Sequence, residues 1–253
     1  MSFNSWKSYM QFSYSVRNKS RYILDGSAQS FLQGIKDTCK SRIEVIEPNS
    51  EMWRAQMGHD CLPLLQDGIH VDDIFAPYSE KRMRPLPDSA SEGRANPKGI
   101  PCLYVASQKE TAMSEIRPWL GSSISVARFT NSKELQVIDF SKQLNVKLPF
   151  YFSEPDDAKR IEAVWTNIDK AFSQPVTNSD QKSDYAPTQI IAELIKSLGY
   201  DGIAYRSSLG RGHNLALFDL HSVIFKESSL FRVNDVQFSF ESNDDERFNE
   251  KYV

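Results

Sequence analysis

Cysteine is scarce in this 253-residue chain, and that scarcity excludes whole classes of protein. Cys39, Cys61 and Cys102 are odd in number and have no Cys-x-x-Cys spacing, which argues against both a disulfide framework and a structural zinc site. A reducing cytosol is the expected setting. Positive charge is not in excess either: 30 Lys and Arg stand against 33 Asp and Glu, for a net charge of −3. The basic footprint of a nucleic-acid binder is therefore missing, and no direct nucleic-acid binding is expected. No apolar run approaches the ~20 residues that span a bilayer, and Met1 to Lys7 has no basic stretch leading into an apolar one. The expectation is a cytoplasmic protein that stays off the membrane.

Several motifs are missing as well. Walker, Gly-x-Gly-x-x-Gly and Gly-x-Ser-x-Gly sequences do not occur, which disfavours P-loop nucleotidases, kinases, Rossmann dehydrogenases and Ser/His/Asp hydrolases. The chain has only four histidines, His59, His70, His213 and His221. His213 reads as a turn residue, and His59-Asp60-Cys61 has poor spacing for a metal, so no metal site is expected.

What is present is ordinary globular composition, 40% hydrophobic and 25% charged, enough for one large domain with an extension. Residues 1–48 read as a mostly helical extension. Phe31, Ile35, Cys39 and Ile43 recur every four positions, the stripe of a helix with one buried face, and Pro48 closes the segment. The main domain is expected over 49–240, with an acidic, frayed tail at 241–253. Met52 to Gln56 reads as a strand. Gly58 to Gly99 reads as a long irregular stretch, either a lid or a surface insertion. Leu103-Tyr104-Val105 reads as a strand, and Ser107-x-x-Glu110 matches a capping box that opens a helix ending near Pro118. Ser123 to Phe129 and Glu134 to Phe140 read as a hairpin around Thr130 to Lys133. Helices are expected over 155–172, and from Pro187 to Gly199, with a polar linker between them that runs to Asp184. Gly202 to Arg206 and Asn214 to Phe218 read as strands. Short strands without a repeated βαβ beat favour an α+β fold.

Four positions carry chemical interest. Arg94 lies on a loop punctuated by Gly93, Asn96, Pro97 and Gly99, where a polar ligand has access to it. Glu115 follows Ala112 by three positions and precedes Trp119 by four, so it shares a side with residues that ought to face inward. A carboxylate there is costly unless it is paired or functional. Ser207 and Ser208 lie just past a strand end, beside a Gly-rich turn.

The ordered set Gly93-Arg94-Ala95-Asn96-Pro97-x-Gly99, Leu103-Tyr104, Thr111-Ala112-x-x-Glu115, Gly199-Tyr200-Asp201-Gly202-Ile203-x-Tyr205-x-Ser207 and Asn214 resembles the RES domain family over about residues 50–225. The resemblance implies a compact fold akin to the ADP-ribosyltransferases and an activity that destroys NAD+, with NAD+ as substrate and no further cofactor. It also implies a toxin or defence role under the control of a helix-turn-helix antitoxin; homo-oligomerisation stays open. By position, Arg94, Glu115 and Ser207 match the family's catalytic arginine, glutamate and serine, with Ser208 as a one-residue alternative to Ser207. Arg54, Tyr104 and Asn214 match accessory, substrate-binding positions. The implied roles are charge stabilisation by Glu115, a pyrophosphate grip by Arg94, ribose or side-chain orientation by Ser207, and stacking by Tyr104. Ala95 departs from the commoner Gly-Arg-Trp-Asn pattern. Two alternatives stand beside this reading: an ADP-ribosyltransferase with a macromolecular acceptor, and a catalytically silent nucleotide- or partner-binding module.

Overall fold

The computed structural model describes residues 2–87, 89–142, 150–174, 182–237 and 239. The expected tail at 241–253 and most of the polar linker before Asp184 lie outside the described residues. The elements are α1 (Ser8–Asn18), α2 (Gly26–Thr38), β1 (Ile43–Ile46), β2 (Glu51–Met57), β3 (Asp60–Gln66), β4 (Ile69–Ala76), the single turn α3 (Glu80–Met83), β5 (Leu103–Ala106), α4 (Lys109–Glu115), β6 (Ser123–Asn131), β7 (Leu135–Asp139), α5 (Asp157–Ser173), α6 (Ala186–Ser197), β8 (Gly202–Arg206), β9 (His213–Leu217) and β10 (Val223–Arg232). Eight strands form one mixed sheet in the order β1-β7-β8-β9-β5-β2-β6-β10. Only β7 and β8 run parallel; every other neighbouring pair is antiparallel. The fold class is α+β.

Helix ends follow local chemistry. The Asp25 carboxylate accepts from the Ala28 amide at 2.8 Å and starts α2, and the Asp156 carboxylate accepts from Lys159 N at 2.9 Å and starts α5, each satisfying an amide that the helix itself cannot. Pro187 sits in the first turn of α6, and Gly199 at φ +89° ends it, a left-handed position that costs glycine least. Phe12 and Phe31, stacked at 4.4 Å between ring centroids, join Ile35, Trp165, Phe172 and Ile191 in a core over the β7-β8-β9 part of the sheet. The expected stripe is buried at Phe31, Ile35 and Cys39, but its fourth member, Ile43, begins a strand. That strand, β1, pairs antiparallel with β7, so the amino-terminal segment contributes an edge to the main sheet as well as helices.

Four local expectations are corrected. The strands β6 and β7 do not form a hairpin: β6 pairs with β2 and β10, while β7 pairs with β1 and β8. Buried Asn131 explains the parting, because its Nδ2 donates to the carbonyls of Ile46, Glu47 and Lys133 and ties the connection to the β1–β2 bend. The 58–99 stretch is not wholly irregular. It contains the hairpin β3–β4, turned at Asp67 (φ 53°) and Gly68 (φ 78°), the two left-handed positions of a type I′ turn. The Ser107 hydroxyl does not cap α4; it accepts from the His213 amide at 3.0 Å, and the cap position belongs to Gln108, without a side-chain bond. Trp119 does not face inward: α4 stops at Glu115, Arg117 turns the chain at φ 47°, and Trp119 is 67% exposed.

One feature of the sheet prepares the site. β2 and β6 share a full seven-residue register, whereas β2 and β5 meet at a single pair, Trp53 with Ala106. The sheet therefore has a seam between β5 and β2, with α4 lying beside both.

Candidate active site

The seam opens into a cavity of about 310 Å³. Trp53, Arg54 and Ala55 of β2 line one side and Tyr104, Val105 and Ala106 of β5 another; Ala112, Glu115 and Ile116 close it from α4. Arg94, Tyr185, Tyr205 and Asn214 complete the wall. The fold thus brings Arg54, Arg94, Tyr104, Glu115 and Asn214, far apart in sequence, to one place. Ser207 reaches the same place through Glu115.

The arginine loop is held from within. The Gly93 amide donates to Asn96 O at 2.9 Å. Nδ2 of Asn96, itself only 3% exposed, donates to Ser91 O at 2.9 Å and Ile100 O at 2.8 Å. The Tyr104 hydroxyl donates to Asn96 Oδ1 at 2.7 Å and accepts from Ala95 N at 2.8 Å. From α6, Gln189 Nε2 donates to both Gly93 O at 2.9 Å and Asn96 O at 3.0 Å. No side chain fits at Gly93, where a Cβ would lie 2.5 Å from the Tyr104 hydroxyl oxygen. Ala95 faces the core. Burial pushes the Tyr104 and Tyr205 phenols above their ordinary range, so both remain neutral hydrogen-bonding groups at physiological pH.

Glu115 is held from the other side. Its Oε1 accepts from Ser207 Oγ and from Asn214 Nδ2, each at 2.6 Å, distances typical of charge-assisted bonds. Ser207 Oγ in turn accepts the amides of Leu209 at 3.1 Å and Gly210 at 2.9 Å. With two amides donating to it, the hydroxyl has its own proton to give, and it gives it to the carboxylate. This serine orients a carboxylate, its hydroxyl being the donor to Glu115. The turn carrying it packs on α4, where Gly212 N donates to Thr111 Oγ1 at 3.1 Å. A Cβ at Gly210 would come within 2.9 Å of the Thr111 backbone. Ser208 faces instead an adjoining cavity of about 330 Å³, lined also by Arg94, Glu115, Arg117 and Ser173. Between the two serines, contact with Glu115 belongs to Ser207.

The two arginines differ. Arg94 donates from Nη1 to Phe172 O at 2.8 Å and from Nη2 to Gln174 O, both at the carboxyl end of α5. Arg54 makes one long bond, Nη1 to Tyr104 O at 3.4 Å.

Sequence reasoning missed Trp53, Tyr185 and Tyr205 as lining residues and Gln189 as the tie between α6 and the arginine loop. Trp53 and Tyr205 stand next to or within quoted motifs, and their adjacency to Arg54 and Ser207 was the signal. Gln189 carried none, since a glutamine in a helix is usually solvated. Among the described residues, no three His, Cys, Asp or Glu side chains gather as a metal site, and no helix is long and apolar enough to cross a membrane.

An α+β domain whose cavity gathers one oriented carboxylate, two guanidiniums and several aromatic rings has the constitution of a site for an anionic, ring-bearing ligand. The chain matches the family model described as RES domain over residues 69–241, well over half its length, and it belongs to that family. No curated protein matches the chain. Among solved structures it is similar to that of the M. tuberculosis MbcT–MbcA toxin–antitoxin complex, with a TM-score of 0.40 and 16% identity over 80% of this chain and 93% of that one.

Proposed function

We propose that this protein consumes NAD+ by cleaving its nicotinamide–ribose bond, as a glycohydrolase or a phosphorylase. The observation that carries the proposal is the Glu115 carboxylate, fixed at Oε1 by Ser207 and Asn214 on the wall of an aromatic, cationic cavity. Departure of nicotinamide takes the bonding electrons onto the pyridine nitrogen and leaves an oxocarbenium-like ribose. A carboxylate held beside that ribose stabilises the developing positive charge more than it stabilises the ground state. Nicotinamide is a good leaving group, so orientation and electrostatics supply most of the rate. Water, or phosphate in the phosphorolytic case, then adds to the ribosyl carbon and loses a proton. Ser207 and Asn214 act through Glu115. The rings of Trp53 and Tyr104 line the cavity and would stack on the bases, while the Tyr104 hydroxyl is committed to the arginine loop.

A small acceptor is favoured over a macromolecular one by Met113. It lies two residues before Glu115, where many arginine-modifying transferases place a second Glu or Gln, and it packs into the small core beside Ala112. With this reading we also propose a fold akin to the ADP-ribosyltransferases, a toxin role in the cytoplasm and a helix-turn-helix antitoxin as partner, for which the RES family match is the support.

The test is incubation of the purified protein with NAD+, with and without phosphate, following nicotinamide, ADP-ribose and ADP-ribose phosphate by chromatography. Stoichiometric release of nicotinamide with one of the two ribosyl products is expected. Absence of nicotinamide release under every acceptor condition sinks the proposal.

A further inference from the structure

We propose that copies of this chain associate head to tail, the β3–β4 hairpin of one copy seating in the groove between α1 and α2 of the next. The inference is independent of the reaction proposed for the cavity.

The hairpin carries its apolar side chains into solvent. Leu62, Leu65, Ile69, Val71, Ile74 and Phe75 are each 49–68% exposed. Among the described residues β3 and β4 pair only with each other, as a sheet separate from the eight-stranded one. A two-stranded ribbon is marginally stable in water by itself, and an apolar one with open edges is a template for association. Its charge restricts what can cover it. From Gly58 to Ser79 the sequence holds Asp60, Asp67, Asp72 and Asp73 and no lysine or arginine. The register sets Leu62 opposite Ile74 and Leu64 opposite Asp72 on one face, with Cys61 opposite Phe75 and Pro63 opposite Asp73 on the other. Both faces therefore mix apolar and acidic groups. Two hairpins laid against each other would oppose like charges, so the occupant has to be apolar and basic.

The same chain carries such a surface. A groove of about 500 Å³ runs between α1 and the start of α2, lined by Lys7, Met10, Tyr14, Lys19, Asp25 and their neighbours. Met10 and Tyr14 are exposed there, and the α1–α2 turn adds Tyr22, 94% exposed, and Ile23. The ammonium groups of Lys7 and Lys19 lie over the rings of Trp6 and Tyr14, 5.1 and 5.8 Å from their centroids, and exposed Arg21 stands beside Tyr22. The one carboxylate in the groove is already engaged, because Asp25 accepts from the Ala28 amide at 2.8 Å and from Ser15 Oγ at 3.0 Å. Hairpin and groove are alike in apolar character and opposite in charge, and neither is covered within its own chain. They are also different patches, so the contact is heterologous: every copy added leaves one hairpin and one groove free, and the assembly is a ring or an open filament.

The experiment measures the mass of the full chain by light scattering and sedimentation velocity from about 1 to about 100 µM, a range that brackets contacts of modest size. The wild-type mass should rise with concentration and fall when salt is raised from about 0.1 to about 0.5 M. A hairpin variant, Leu62→Ser with Ile74→Ser, and a groove variant, Tyr14→Ser with Lys19→Ser, should each weaken association at least tenfold and behave as monomers. Mixed, the two variants should form a one-to-one complex that grows no further, because one supplies the intact groove and the other the intact hairpin. A wild type that stays monomeric throughout overturns the proposal. So does association that the groove variant leaves unchanged, which would place the hairpin on some other surface, and so does a mixture of the two variants that remains monomeric. Circular dichroism checks folding. If the serine substitutions disturb the hairpin, Asp72→Lys with Asp73→Lys reads the contact by charge alone: association should be lost, and regained when the same chain also carries Lys7→Glu and Lys19→Glu. Failure of that reversal to restore it counts against the pairing.

Discussion

Glu115→Gln separates charge from shape at the centre of the site. An amide has nearly the volume of the carboxylate, and its oxygen can take the place of Oε1 and keep both bonds, from Ser207 Oγ and Asn214 Nδ2, that now measure 2.6 Å. The side chain is only half-buried at the end of a short helix, so folding should be unaffected, and a melting temperature close to that of wild type is the control. On the proposed reaction, what disappears is a unit negative charge facing a ribose that becomes positive. At a separation of about 4 Å and an effective dielectric constant of about 20, that interaction is worth about 4 kcal/mol. With each ~1.4 kcal/mol worth a factor of ten in rate, kcat should fall about a thousandfold. Ground-state affinity should change little, because NAD+ carries no full positive charge on the ribose itself. Single-turnover release of nicotinamide from saturating NAD+ measures the first effect, and calorimetry with ADP-ribose the second. A fall of less than tenfold with the fold intact refutes the electrostatic role assigned to Glu115. A fall that appears only in KM refutes the claim that its effect belongs to the transition state.

Three further outcomes follow from the same geometry. Ser207→Ala removes the donor to Glu115 and the acceptor of two amides, and kcat should fall by about 10- to 100-fold, on the scale of one lost charge-assisted bond; an unchanged kcat would show that the carboxylate is oriented by other groups. Gln189→Met frees the carbonyls of Gly93 and Asn96, and its effect on kcat/KM should largely vanish in an Arg94→Ala background, a non-additivity that a double-mutant cycle reads directly. Gly93→Ala drives a methyl group against the Tyr104 hydroxyl and should cost about 1–3 kcal/mol of stability by urea unfolding; a neutral result would mean that the loop is slack.

Much of the fold was legible where one physical signal acted alone. The stripe of Phe31, Ile35 and Cys39, the Pro187 start and Gly199 end of α6, and the strands around Ser207 were read from periodicity and turn chemistry, and the structure has them. Where two signals competed, the reading failed. Asp67-Gly68 is a hairpin turn, but Pro63 and a run of loop-forming prolines masked the alternation on either side of it. Thr130 to Lys133 looks like a hairpin loop because turn residues do not reveal which strands they separate; only Asn131, bonded to carbonyls more than 80 residues away, decides that. The site divides in the same way. Arg94 and Glu115 drew interest through residue type and spacing, whereas Ser207 was singled out by the resemblance to the RES family. The difference between Arg94 and Arg54 did not, because it depends on which carbonyls happen to lie at the end of α5, a fact of tertiary packing.

The single Trp53–Ala106 pair gives the protein a mechanical weak point. One half of the sheet carries Arg54 and the other supports Tyr104 and Asn214, and among the described residues the gap is spanned by that pair, by α4 and by the long Arg54–Tyr104 bond of 3.4 Å. On the proposed reaction, a binder that widened the gap by about an ångström would draw Arg54 away from Tyr104 and Asn214, and misplacement on that scale is enough to cost about a hundredfold in rate. The seam is thus a place where a partner would act on the cavity without entering it.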